Sequence, residues 1–215
     1  MNNSFKLNQV NNFCLIIMNK QLLSLLLLMI LIFKINLKKI KKIIKMTKNS
    51  GVTTFMGNPL TLLGNMVKPG DKAYDFTAIG EGLKPVKLSD YDGKVRIISL
   101  VPSVDTGVCA AQTRKFNTEA ANLGDIVILT ISCDLPFALG RFCAAEGIDK
   151  VITLSDHKDT DFGLNYGFLI EELRLLNRGI IVIDKQGFVT YVEYVKENTD
   201  HPDYDKAIAE AKKVM

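Results

Sequence analysis

The chain has 215 residues, enough for one domain with a sizeable core, and beyond residue 45 its composition is that of an ordinary globular protein. The formal charge of +4 comes from the start: residues 1–45 hold eight of the 27 basic residues and no acid, leaving 19 basic against 23 acidic residues in 46–215. The basic excess therefore belongs to this leader and gives no reason to expect a nucleic-acid partner.

Within the leader, Leu22–Phe33 is a run of twelve residues, apolar except for Ser24. A bilayer span needs about 20 residues, and counting back to Phe13 crosses Asn19-Lys20-Gln21. The length suits a secretory h-region of about 7–15 residues, but the basic stretch Lys34–Lys45 follows where a small-residue cleavage site would stand. Three readings are open: an over-extended start that is not native protein, a membrane anchor with its basic flank in the cytoplasm, or an uncleaved signal. The folded domain is expected over 46–215, and contact with a membrane only if the leader is native. Cys14 lies here without a lipid-attachment context and takes no role.

From Thr53 to Leu62 the pattern is two short strands around Gly57-Asn-Pro, a hairpin. Tyr74–Ala78 alternates as a strand, Val86–Leu88 is a further short one, and Asp90-Tyr-Asp-Gly93 turns the chain. Val95–Val101 is apolar enough for a strand buried on both faces. A helix is expected over Val108–Leu123, with Val108, Ala111, Phe116, Ala120 and Leu123 inward and Gly124 ending it. Ile126–Ser132 is a second buried strand, so strand, helix and strand form a βαβ unit and an α/β core. Pro136–Glu146 follows as a helix with Pro in its first turn, then a short strand at Val151–Leu154 and a helical turn or two at Phe162–Tyr166. Arg178–Asp184 and Phe188–Val195 flank Lys185-Gln-Gly187 as a hairpin. Asp203–Val214 closes the chain as a helix, with Tyr204, Ile208 and Ala211 inward.

The chemistry concentrates at Val101-Pro-Ser-Val-Asp-Thr-Gly-Val-Cys109-Ala-Ala. Cys109 falls in the first turn of a helix, where unpaired N–H groups and the helix dipole favour a thiolate. Pro102 fixes the turn and can shield the sulfur. Thr106, three residues before Cys109, carries a hydroxyl within reach of the sulfur. Asp105 is a candidate N-cap. Taken alone, a cysteine is more often a small buried residue without chemistry, and it is the surrounding residues that point Cys109 to reactivity.

Pro102, Thr106 and Cys109 stand in the spacing of the peroxiredoxin active site, and the longer string resembles its thiol peroxidase branch, the atypical two-cysteine peroxiredoxins of bacteria. Asp134-Leu-Pro-Phe-Ala and Arg141-Phe-Cys-Ala-Ala-Glu-Gly147 are similar to the second signature of that branch. The likeness runs from about Thr53 to near the C-terminus. It implies a thioredoxin-like α/β fold of the peroxiredoxin type with an added N-terminal β-hairpin. It also implies a thiol-specific peroxidase acting on hydrogen peroxide and organic hydroperoxides, with Cys109 peroxidatic, Cys143 resolving through an intrachain disulfide, and Arg178 the active-site arginine. The family pattern further implies recycling by thioredoxin, no cofactor on the chain itself, a homodimer and a cytoplasmic location, with a periplasmic or membrane-associated one as the alternative.

The remaining candidates carry less. No pair of Cys109, Cys133 and Cys143 has Cys-x-x-Cys spacing, and no Cys/His spacing suggests zinc. Cys133 ends a strand and reads as core or bystander. Arg114 reads as structural, and His157 and His201 as solvated. Two rival functions stay open at this level: a peroxide-responsive redox sensor or adaptor, and a membrane-tethered thiol oxidoreductase.

Overall fold

The computed structural model describes residues 47–215, together with the single residue Met29. Apart from Met29, the expected leader lies outside the described residues, and its three readings with it. Among the described residues no helix is long and apolar enough to cross a membrane.

The chain opens with the hairpin β1 (Lys48–Phe55) and β2 (Asn58–Leu63). Phe55 pairs with Asn58, so the loop is Met56-Gly57, and both residues have positive φ. That is the two-residue turn whose twist matches the strands, one step earlier than the Gly57-Asn-Pro of the sequence pattern. Short strands β3 (Thr77–Ile79) and β4 (Pro85–Lys87) follow.

The βαβ prediction holds at the centre. β5 (Arg96–Leu100) leads through α1 (Gly107–Ala120) to β6 (Val127–Ser132), and α2 (Pro136–Glu146) leads to β7 (Ile152–Ser155). β5, β6 and β7 are parallel, with Ile98 opposite Leu129 and Ile131 opposite Leu154. Then come α3 (Asp161–Tyr166), β8 (Leu169–Ile170), β9 (Gly179–Ile183), β10 (Val189–Tyr194) and α4 (Tyr204–Lys213). β9 runs antiparallel to β5 and β10 antiparallel to β9, giving the sheet order β10-β9-β5-β6-β7-β3-β4. β8 has no clear sequence signal, yet it extends the hairpin into a second sheet by pairing with β2.

Every residue of β5 and β9 is buried, which is why β9 reads as an unbroken apolar run and β5 as a mostly apolar one, broken by the buried Arg96 and Ser99, rather than as alternating strands. On one face, Ile97, Ile128, Ile180 and Val182 pack with Phe116, Leu123, Ala207, Ile208 and Ala211. Each of the Ile, Val, Leu and Phe side chains taken from water contributes about 1.5–3 kcal/mol. Elsewhere Phe76, Phe162, Phe168, Tyr166 and Tyr194 pair as aromatics, with Phe168 stacked on Tyr194 at 4.1 Å.

α1 departs from the expected face. Val108 and Ala111 are only half-buried, while Cys109, Gln112, Thr113 and Phe116 are fully buried. The spacing of an inward face is kept, but two polar residues occupy it, so apolar matching alone set the phase one residue off. Gly147 ends α2 in the left-handed conformation, φ 65°.

Candidate active site

β5 delivers the chain to the site. Its ladder continues as far as Val101, whose N–H donates to Ile131 O at 3.2 Å, and stops at Pro102, which has no N–H to give. Pro102 is buried beneath the turn that follows. That turn is anchored by Asp134, just past β6. Ser103 Oγ donates to Asp134 Oδ1 at 2.7 Å, and Asp134 Oδ2 accepts from Val104 N and Ser132 Oγ, each at 2.8 Å.

Thr106 is extended (φ −103°, ψ 145°) and is itself the residue preceding the first helical one, which corrects the expectation for Asp105. Asp105 is exposed, and the Thr106 side chain makes no capping bond to α1. The Thr106 hydroxyl donates instead to Cys109 Sγ at 2.8 Å. Cys109 is fully buried, with Val101, Val104 and Leu139 around it and Phe142 alongside.

Arg178 reaches the same sulfur from the start of β9. Its Nη2 donates to Cys109 Sγ at 3.2 Å, Nη1 to Gln112 Oε1 at 2.8 Å and Nε to Asn198 O at 2.9 Å. The side chain is only 2% exposed, and among the described residues none of the ion pairs includes it. A buried guanidinium without a carboxylate is costly. The one group in its hydrogen-bonding shell that can carry negative charge is the Cys109 sulfur. The strand start beside it is tightly packed: a Cβ on Gly179 would lie 2.2 Å from Glu193 O and 2.5 Å from the Phe168 ring.

Around this pair runs a polar network with little access to water. Gln112 Nε2 donates to Ser99 Oγ at 2.9 Å and to Leu100 O at 3.2 Å, fixing its amide so that Oε1 faces Arg178. Asn198 Oδ1 accepts from Arg178 N at 2.8 Å, while its Nδ2 faces Asn177 Oδ1 at 2.7 Å and Thr53 Oγ1 at 2.9 Å. Tyr204 lies within electrostatic reach of Arg178 and Cys109, and burial pushes its phenol up to about 12, so it stays neutral.

Cys143 is placed differently. It sits on α2, half-buried, with Sγ 3.4 Å from Thr153 Oγ1, on the wall of a cleft of about 470 Å³ that also includes Pro136, Leu139, Ile148 and Ile152. Cys109 and Cys143 are both free thiols here. Phe142, the neighbour of Cys143, packs against the surroundings of Cys109 as well as against the core beside Cys143. α1 and α2 are also tied by the exposed pair Arg114–Glu146 at 2.7 Å.

The other candidates stand apart from the sulfur pair. Cys133 is free, and burial pushes its thiol up to about 12, with Asp156 and Asp134 adding to the shift. His157 and His201 are exposed, bonded to Ser155 Oγ at 2.8 Å and Tyr204 OH at 2.7 Å. Among the described residues no group of three His, Cys, Asp or Glu side chains is arranged to hold a metal ion.

Sequence reasoning missed Gln112, Asn198, Asn177 and Thr53. Gln112 had a usable signal, a polar residue three positions after Cys109 and four before Phe116, on the buried face. Asn198 had none, because it meets Arg178 across 20 residues.

Comparison with known proteins agrees with this architecture. A family model described as Redoxin matches residues 68–208. A thiol peroxidase of Halalkalibacterium halodurans is 61% identical over 162 residues, covering 75% of this chain and 98% of the relative. One from Bacillus subtilis is 57% identical over 162 residues, covering 75% and 97%. Among solved structures, a peroxiredoxin-like protein from Aquifex aeolicus superposes with a TM-score of 0.73 at 35% identity, over 79% of this chain and 99% of that one. A thiol peroxidase from Chromobacterium violaceum shares the fold, with a TM-score of 0.66 at 21% identity over 75% and 97%.

Proposed function

Since the chain belongs to the thiol peroxidase family of the redoxins and is a peroxidase oxidoreductase, we propose that Cys109 is the sulfur that attacks the peroxide and Cys143 the thiol that resolves it. The Cys109 thiolate attacks the terminal oxygen of R–O–O–H and the O–O bond breaks. The sulfur gains the hydroxyl as sulfenic acid, and RO⁻ takes a proton and leaves as an alcohol, or as water from hydrogen peroxide. Thr106 Oγ1 and Arg178 Nη2, both already directed at the sulfur, are placed to hold the two oxygens and to stabilise the charge passing to the leaving one.

The Cys143 thiol then displaces hydroxide from the sulfenic sulfur, giving a Cys109–Cys143 disulfide and water. Bridging needs Cα atoms within about 7 Å. Cys143 Sγ is directed at Thr153 while Leu139 and Phe142 of the same helix pack at Cys109, and the resolving step is expected to unwind part of α2 or the start of α1. A dithiol reductant attacks the disulfide, passes through a mixed disulfide and leaves oxidised, restoring both thiols. Thioredoxin as that reductant, hydrogen peroxide and alkyl hydroperoxides as substrates, a homodimer and a cytoplasmic location rest on the family resemblance.

The observation that carries the reading is the buried, carboxylate-free Arg178 donating to Cys109 Sγ at 3.2 Å. The test is stoichiometric: pre-reduced protein should consume about one equivalent of hydroperoxide in a single turnover, and Cys109→Ser none. Full consumption by Cys109→Ser would refute the assignment.

A further inference from the structure

We propose that Thr53, on the N-terminal hairpin, is a positioning residue for the peroxidase reaction, because its hydroxyl orients the Asn198 side-chain amide, which receives the Arg178 backbone N–H, and so places the Asn198 backbone carbonyl that holds the Arg178 guanidinium against the Cys109 sulfur. The inference rests on the reading of Cys109 and Arg178 given above.

The chain of contacts is continuous and sealed from solvent. Thr53, Asn177, Arg178 and Asn198 are each at most 2% exposed. The Thr53 hydroxyl has one proton, and it lies 3.0 Å from Val195 O and 3.2 Å from Lys196 O. With the proton given there, Oγ1 presents a lone pair to Asn198 Nδ2 at 2.9 Å. Nδ2 is also directed to Asn177 Oδ1 at 2.7 Å and Thr54 O at 3.2 Å. Three acceptors around one end of the amide decide which end is NH₂. The other end, Oδ1, therefore receives Arg178 N at 2.8 Å, while the carbonyl of the same Asn198 receives Arg178 Nε at 2.9 Å.

The guanidinium is a rigid fork. With Nε held by Asn198 and Nη1 by Gln112, Nη2 has one direction left, and it meets Cys109 Sγ. A shift at Asn198 is thus transmitted to the sulfur. The hairpin itself is clamped to this segment. Thr54 N donates to Lys196 O at 2.6 Å, Asn198 N donates to Thr54 O at 2.9 Å, and the Glu197 carboxylate accepts from Met56 N at 2.9 Å and Gly57 N at 3.0 Å. The hairpin that precedes the thioredoxin-like core is in this account part of the scaffold of the reaction centre.

Thr53→Val keeps the shape and removes the hydroxyl, Thr53→Ala removes it with less bulk, and Thr53→Ser retains it. Each is made in the wild-type and in the Arg178→Lys background, and Cys109 oxidation by one equivalent of hydrogen peroxide is followed by quenched single-turnover mass spectrometry, with melting temperature alongside. The Val and Ala variants should oxidise roughly tenfold more slowly in the wild-type background, the cost of one buried hydrogen bond expressed at the reacting centre. Thr53→Ser should restore the rate, and in the Arg178→Lys background the loss should vanish, since the link would have nothing left to position. Should Thr53→Val not fold, Thr53→Ala carries the same comparison. Wild-type rates in the hydroxyl-free variants, or equal slowing in both backgrounds, would overturn the relay alone. A wild-type Cys109 that takes up no oxygen would overturn the reading of the site, and the relay with it.

Discussion

Arg178 and Cys109 lie 69 residues apart in the chain and meet at 3.2 Å between Nη2 and Sγ, both buried. β9 lies directly beside β5, with Gly179 opposite Leu100. The residue just before β9 is thereby brought to the turn just after β5. Neither strand alone holds the site; their antiparallel pairing does.

Arg178→Lys is the sharpest probe of that contact. Lysine keeps the charge but is a single flexible point donor, unable to bond Asn198 O, Gln112 Oε1 and Cys109 Sγ together. The first oxidation step should slow roughly 10²–10³-fold, the usual cost of losing a preorganised electrostatic donor. Stopped-flow measurement with hydrogen peroxide checks it, and a rate within a factor of about two of wild type would remove Arg178 from the mechanism.

Gln112 tests whether the network is needed beneath the arginine. Gln112→Leu is close in volume but leaves Arg178 Nη1 and Ser99 Oγ without the partners they have at 2.8 and 2.9 Å. Stability should fall by about 1–3 kcal/mol in denaturant titration, together with the oxidation rate. Gln112→Glu would give the guanidinium a competing carboxylate. It should recover stability relative to Leu while remaining slow with peroxide, a split that packing alone would not produce.

Asp156 gives a pH signature away from the sulfur. Burial pushes its carboxyl up to about 6, although Phe162 N and Gly163 N donate to it at 3.0 and 2.8 Å. Because the folded value lies above the unfolded one, the neutral acid is the favoured form in the folded protein. Its contribution is complete below about pH 4 and is lost as pH rises through 6. Glu197, held down at about 2 by backbone and hydroxyl donors, acts with the opposite sign. The quantity to read is therefore the unfolding free energy of wild type minus that of Asp156→Asn. It should fall by on the order of 1–3 kcal/mol between pH 4 and 7, and a flat difference would contradict the assignment.

Much of the fold was legible because its signals are local. α2 begins at Pro136 and ends before Gly147 as its punctuation implied, and the buried runs of β5, β6 and β9 sit where apolar stretches placed them. In the site, Pro102, Thr106 and Cys109 are written within eight residues, and the structure brings Thr106 and Arg178 onto the Cys109 sulfur. The illegible part is the packing of polar groups. Gln112 and Thr113 look like surface residues, yet they face inward because Arg178 and the backbone supply their partners. Asn198 and Thr53 meet only through tertiary folding, and no local pattern encodes that meeting.

The central claim is that Cys109 takes the oxygen and Cys143 completes the disulfide. A non-reducing peptide map of the pre-reduced protein after one equivalent of hydroperoxide tests it most directly. The account predicts a Cys109–Cys143 linked peptide, with Cys133 unmodified because burial keeps its thiol protonated up to about 12. Sulfinic acid on Cys109 with Cys143 still free would contradict the resolving role, and an unaltered Cys109 would contradict the account as a whole.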